Sequence, residues 1–351
     1  MGITAQNGRS ENNLFCWSAH YITLNRRKTI VVVNDSNRFG FILHGLKAKD
    51  FKGLDKLILQ GISSCLRDEK IKEEIIEQYL KEAGDLIFSK TRGPKYVARL
   101  NKTCEMVAIF EDRLDSNELF QVIASRNLNN DLIKINKEAD YEYPHDLLRK
   151  DLEQCYGEPI IRCEAADLMI KLNLGSFCAW RRIITPVDID FKQLHEILQV
   201  AFDWKSYHLY DFNVFEESGK YLITIISEFE EDYETRKDCQ MHLDSEIRLS
   251  DFAKQRCNIV YCYDYGDNWE HKITIQGIKT EYDKNYPTCL MGEGNAPPED
   301  VGGIGGYEEF LEIIDNPSHI EYKNMKQWAR GQWYRDFDLD FVNKRLENVL
   351  R

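Results

Sequence analysis

Residues 269–276 alternate strictly: Trp269, His271, Ile273 and Ile275 fall on one side of an extended chain, and Glu270, Lys272, Thr274 and Gln276 on the other. A two-residue period of this kind commits the segment to a half-buried strand, because successive strand side chains point to opposite faces. Residues 257–264 supply its partner and Gly266-Asp267-Asn268 the turn, so a β-hairpin is predicted. His271 is predicted to point with the apolar residues, toward the interior or a pocket lined by it.

At 351 residues the chain exceeds the size at which single cores usually stop growing, which predicts two domains. A hydrophobic fraction of 43% with 12% aromatics suits globular cores and is too rich for a disordered chain. Acidic residues outnumber basic ones 59 to 46, and the net charge of −13 opposes nucleic-acid binding, which depends on neutralising phosphates with Lys and Arg. Short basic runs, at 26–28 and around Lys90, Arg92 and Lys95, read as solvated surface. The ten cysteines include no Cys-x-x-Cys pair, residues 1–13 are polar, and no apolar run approaches the roughly 20 residues of a membrane span. A cytoplasmic protein without a disulfide scaffold or a membrane partner is expected.

After a polar tail over 1–13, an α+β domain is predicted over 14–126. Strands are expected at 14–19, 29–33 and 39–44, the last two joined through Asn34-Asp35-Ser36-Asn37. Helices follow at 54–66, with Asp50 as an early cap, and at 70–83, stopped by Gly84. Further strands are predicted at 85–90, 96–100 and 106–110, with Arg92-Gly93-Pro94 as a turn, and a helix at 114–126. A connector over 127–163 carries a helix at 144–156. The second domain, 164–351, is predicted to be α+β as well: a mixed sheet built from β-hairpins, one packed central helix near 191–202, and C-terminal helices at 307–315, 322–329 and 338–350. The acidic run 228–234 reads as a solvated loop.

Chemistry concentrates in two motifs of this second domain, YDYGDNWEH at 263–271 and NAPPEDVGGIGGY at 295–307. Together they hold five carboxylates, a histidine and five glycines, and clustered acids cost free energy unless paired, hydrogen-bonded or metal-bound. Asp264, Asp267, His271, Glu299 and Asp300, joined by His208, are ligands of the types that bind divalent cations, with Asp264, Asp267 and His271 as the predicted metal set. Architectural roles compete: Asp267 on turn amides, Asp264 paired to His271 or to Arg181, and Glu299 and Asp300 capping the next helix. Gly302, Gly303 and Gly306 precede that helix as a candidate anion nest, without the Lys-Ser/Thr ending of a P-loop. A carboxylate about 6 Å away repels a phosphate charge by roughly 3 kcal/mol at an effective dielectric near 20, against about 0.3 to 1 kcal/mol from a helix end, so phosphate here needs a metal. Trp204, Tyr207, His208 and Tyr210 form an aromatic group, and Trp269 and Tyr307 are expected to join it as an aromatic wall beside the acids. Cys289 lies in an acidic setting that disfavours a reactive thiolate.

These motifs, with LHEILQVAFDWKSYHLYDF at 194–212, Trp180-Arg181-Arg182-Ile183 and the closing FDLDFVNKRL, resemble the plasmid pRiA4b ORF-3-like family of bacterial and archaeal proteins. The resemblance covers roughly residues 165–350. It implies an α+β domain carried on plasmids, near mobile elements and in chromosomes, and it settles a fold rather than a reaction. Val301 stands where the family often has cysteine, which argues against a metal site built from that position and Cys289. The N-terminal part resembles small bacterial domains of unknown function.

Two functions fit these residues, the first preferred and the second its alternative. One is a binding module whose acidic-aromatic pocket, lined by Trp204, His208, Trp269, Tyr307, Gly302, Gly303 and Gly306, takes a peptide, a protein or a small ligand. The other is a metal-dependent hydrolase, acting on phosphoesters, in which Asp264, Asp267, His271, Glu299 and Asp300 serve as ligands or acid–base groups and a divalent metal is the cofactor.

Overall fold

The computed structural model describes residues 2–5, 12–136, 138, 140–157, 159–227, 241–255 and 257–350; the acidic run at 228–234 lies outside them. Two compact units emerge, Met1–Arg162 and Cys163–Leu350, each α+β.

In the first unit, β1 (Gly2–Ala5), β2 (Trp17–Leu24), β3 (Arg27–Asn34), β4 (Gly40–His44) and β5 (Leu86–Ser89) form an antiparallel sheet in the order β4-β3-β2-β1-β5. The unbroken Ile30-Val31-Val32-Val33 run of β3 follows from cover on both faces. Ile30 and Val32 pack with α1 (Leu54–Asp68) and α2 (Glu73–Ala83), while Val31 and Val33 pack with α3 (Pro94–Ile109) and α4 (Val122–Asn129).

The first unit departs from the sequence pattern at several places. Residues 96–100 and 106–110 are not strands: 96–100 and 106–109 lie in α3 and Phe110 caps its end, Pro94 sits in its first turn, and Leu100, Thr103, Cys104 and Val107 recur at helical spacing on its buried face. The turn formers Gly93-Pro94 start a helix rather than a hairpin. The helix expected from 114 begins only at Val122, because Phe120 bridges to Leu43 at the edge of β4 and Leu119 accepts from the His44 amide. Residues 2–5 of the expected tail form β1. Nor is 127–163 a mere connector, since Leu148 and Leu152 of α5 (Pro144–Tyr156), with Ile160 and Ile161, lie in the first unit's core. Asp50 accepts from Lys47 N in a 3₁₀ turn ahead of α1 and does not cap it.

The second unit is built on β6 (Cys163–Leu174), β7 (Phe177–Pro186), β8 (Tyr210–Phe215), β9 (Tyr221–Ile226), β10 (Met241–Leu243), β11 (Asn258–Tyr263), β12 (Trp269–Tyr282) and β13 (Thr288–Glu293). Their order is β10-β9-β8-β11-β12-β6-β7-β13, antiparallel throughout except β10 on β9, which makes the sheet mixed. The hairpin of β11 and β12 pairs Tyr261 with His271 and Tyr263 with Trp269. The central helix α6 (Phe191–Ala201) is opened by a capping box between Asp190 and Gln193 and buries Phe191, Leu194, Ile197, Leu198 and Ala201 against the sheet.

A single turn, α7 (Ser250–Ala253), is followed by α8 (Gly303–Ile314), α9 (Tyr322–Gly331) and α10 (Leu339–Leu346). The helix expected from Tyr307 therefore starts four residues earlier, with three of the glycines inside it. At the end of the sheet Asn343 of α10 donates to Cys289 O and accepts from Cys289 N, so its side-chain amide satisfies the outer edge of β13 there.

Candidate functional site

Three chain segments meet at one end of the second unit: the β11–β12 turn, the loop 203–209 after α6, and the loop 294–302 before α8. In the turn, Asp264 and Asn268 adopt left-handed backbone, with φ of 58° and 56°. The Asp264 side chain accepts from Gly266 N at 2.9 Å through one oxygen, and its other oxygen lies 3.5 Å from His208 Nε2. Asp267 reaches across to accept from Gly302 N at 3.1 Å, placing a carboxylate at the start of α8. Gly302, at φ 93°, and Gly306, whose added Cβ would lie 1.9 Å from Val301 O, are glycines the loop requires. The candidate anion nest thus receives an acid of the protein's own.

From the loop after α6, Trp204 Nε1 donates to Pro297 O at 2.8 Å and Lys205 N to Glu299 Oε1 at 2.7 Å. Tyr263 donates to the same carboxylate at 3.1 Å. Glu299 is 1% exposed, and burial pushes its carboxyl above the ordinary range, with the Lys205 amide, Tyr263 and His208 pulling it back. The Tyr263 phenol is likewise raised by burial and by the Glu299 charge.

His208 occupies the centre. Its Nε2 lies 3.1 Å from Asp300 Oδ1, 3.5 Å from Asp264 Oδ2 and 3.8 Å from Glu299 Oε2. One ligand atom each from His208, Asp264 and Asp300 falls within 4.8 Å of the others, the spread shown by ligands at about 2.1 to 2.4 Å from one shared cation. Next to Pro297 and Pro298 of the loop that carries Asp300, a cleft open to solvent is lined by Arg181, Asp203, Trp333 and Phe337 among others.

The convergent set differs from the predicted metal set. His271 does point inward, but what lies inside is solid: its ring is fully buried against Phe202, Trp204 and Tyr261, at centroid distances of 4.8 to 5.2 Å. Burial drops its pKa to about 3, with the carbonyls of Trp269 and Tyr261 opposing and Arg181 adding to the fall. Asp267 is engaged by Gly302. His208 takes their place. Arg181 pairs with no acid among its hydrogen-bond partners; its guanidinium donates to the carbonyls of Trp180, Ala201, Glu293 and Gly294 and stacks on Phe337, with its pKa lowered to about 10 by burial.

The expected aromatic wall is also core. Trp204, Trp269 and Tyr307 are each at most 4% exposed, and Trp204 stacks between Phe202 and Tyr263. Among the rings left to solvent are Tyr207 and Trp333, on which the Lys205 ammonium sits at 5.5 and 5.0 Å. Cys289 is buried, its thiol raised to about 11 by burial. Sequence reasoning missed one network altogether, His195, Gln199, Tyr261 and Ser206; its only outward sign is two polar residues four apart on the apolar face of α6.

Residues 164–345, just over half of the chain, match the family model described as plasmid pRiA4b ORF-3-like protein. The chain belongs to that family. Residues 1–147 match the model of a domain of unknown function, DUF6933. A relative in Sinorhizobium fredii, named uncharacterized protein y4hQ, is 29% identical over 192 residues, covering 52% of this chain and 90% of its own length. The crystal structure of a protein of unknown function, MM3350 from Methanosarcina mazei, shares 30% identity with a TM-score of 0.43, over 50% of this chain and 96% of that one. No helix among the described residues is long and apolar enough to cross a membrane.

Proposed function

We propose that the second unit binds a divalent cation through His208, Asp264 and Asp300, with buried Glu299 behind them, and that the cation serves the hydrolysis of a phosphoester. One observation carries this reading: Nε2 of His208 is shielded from solvent and makes no aligned hydrogen bond, although three carboxylates from two other segments face it. A buried ring nitrogen amid oxygen donors is what a cation would satisfy. The cation would also cancel the repulsion that these acids impose on a phosphoryl group, and it would acidify a bound water for attack on phosphorus.

A recognition role is the second reading, favoured by Tyr207 and Trp333, which flank Lys205 in solvent near the open cleft. Its occupant would be a peptide, a protein or a small molecule lying across those rings.

Titration of the chelator-treated protein with Mn²⁺, followed by calorimetry, tests the cation. One equivalent should bind, His208→Ala and Asp264→Ala should each abolish binding, and the loaded protein should cleave an activated phosphodiester. A wild-type protein that takes up no Mn²⁺ refutes the proposal; uptake without cleavage leaves recognition as the role.

A further inference from the structure

Ser206 has the geometry of an activated nucleophile. Its Oγ lies 2.7 Å from His195 Nε2, and His195 Nδ1 lies 2.7 Å from the Tyr261 hydroxyl. Ser206 is exposed and held at φ 56°, while His195 is 3% exposed and stacked on Tyr210 at 3.6 Å. Nucleophile, base and orienting group stand in line, as in serine hydrolases.

The protons run the other way. Ser206 N can only donate, and it donates to Gln199 Oε1 at 2.8 Å, so the other end of that amide is NH₂ and donates to the Tyr261 oxygen at 3.0 Å. Tyr261 is fully buried, and its own proton has one acceptor among the described residues, His195 Nδ1. The reverse assignment would leave a buried phenol proton unpartnered, whereas Ser206 can give its proton to water at no cost. His195 must then carry its proton on Nε2 and donate it to Ser206. Burial holds the ring neutral at physiological pH, with a pKa of about 3.

A histidine protonated at Nε2 cannot take the serine's proton. What it does is fix the Ser206 oxygen as an acceptor and turn the hydroxyl hydrogen outward, two residues along the loop from His208. We infer that Ser206 is a binding-site donor, aimed at an oxyanion held by the cation at His208, Asp264 and Asp300, and that Gln199, Tyr261 and His195 are positioning residues that set its polarity. This role rests on the cation reading above and names the class of ligand, a phosphoryl oxyanion.

Two measurements test it. In the metal-free protein with ¹⁵N-labelled histidine, long-range ¹H–¹⁵N correlation should place the His195 proton on Nε2; a proton on Nδ1 overturns the polarity and restores Ser206 as a nucleophile. In the Mn²⁺-loaded protein, inorganic phosphate should bind about tenfold or more weakly to Ser206→Ala than to wild type, the loss expected for one hydrogen bond to a charged oxygen, with Mn²⁺ affinity unchanged. Equal phosphate affinity in the two proteins, or no phosphate binding to the loaded wild type, overturns the role while leaving the cation site standing. Failure of the wild type to bind Mn²⁺ overturns both.

Discussion

Lowering the pH from 7 to 5 should weaken the second unit through its two buried histidines, and His271→Phe should remove half of that loss. His271 and His195 both fall from an ordinary pKa of 6.5 to about 3 in the folded protein, driven first by burial. A base whose folded pKa is depressed stabilises the fold fully above the unfolded pKa, and that stability drains away as pH falls from 6.5 toward 3. At pH 5 the unfolded ring is almost entirely protonated and the folded ring is not. Each histidine then forfeits about 1.36 kcal/mol for each of 1.5 pH units, or about 2 kcal/mol, and the pair about 4 kcal/mol. Domains of this size have about 5 to 15 kcal/mol to lose.

Glu299 acts in the opposite sense. Its folded pKa is raised, so its contribution is full below the unfolded value near 4.5 and is lost as pH rises through the folded pKa, which partly offsets the histidines. Comparing wild type with His271→Phe cancels that term. Urea unfolding at pH 7 and pH 5, followed by tryptophan fluorescence, is the assay; five of the six tryptophans lie in the second unit. The variant should lose about 2 kcal/mol less than wild type between the two pH values. Equal losses would show that His271 is not held neutral by its packing.

Asp267→Ala should cost about 1 to 2 kcal/mol, because the start of α8 loses an acceptor and a favourable charge, while Asp267→Asn should keep most of it; urea midpoints decide, and equal effects would point to charge alone. Arg181→Lys should cost about 3 kcal/mol or more, since one ammonium cannot satisfy four carbonyls placed for a guanidinium fork; a thermal midpoint within a degree of wild type would contradict this.

Much of the fold could be read because alternation and helical periodicity report burial, and burial is what the sheet and its helices impose. The β11–β12 hairpin, the two-sided β3 and the capped α6 all announce themselves this way. Helix α3 does not, because Tyr96-Val97 and Met106–Ile109 are β-prone locally and only the wider spacing of Leu100, Cys104 and Val107 reveals the buried stripe. β10 and β13 are too short, or too irregular, for a period to show.

The candidate site divides along the same line. Turn formers and acids mark both loops, and the Asp267–Gly302 bond joins them, but alternation says which side His271 faces without saying what fills that side. Three rings fill it. Ser206 and its relay draw on α6, β11 and the loop after α6, and no local pattern encodes a proton's direction.

The amide of Asn343 at the margin of β13 has a consequence for any shortened form of this chain. Without α10, the amide and carbonyl of Cys289 would lose their seal next to Leu290 and Met291, which already meet water. A raw strand margin with greasy neighbours templates further strands. The last helix is thus a guard against clumping as much as a piece of the core, and deleting it would be felt first as lost solubility.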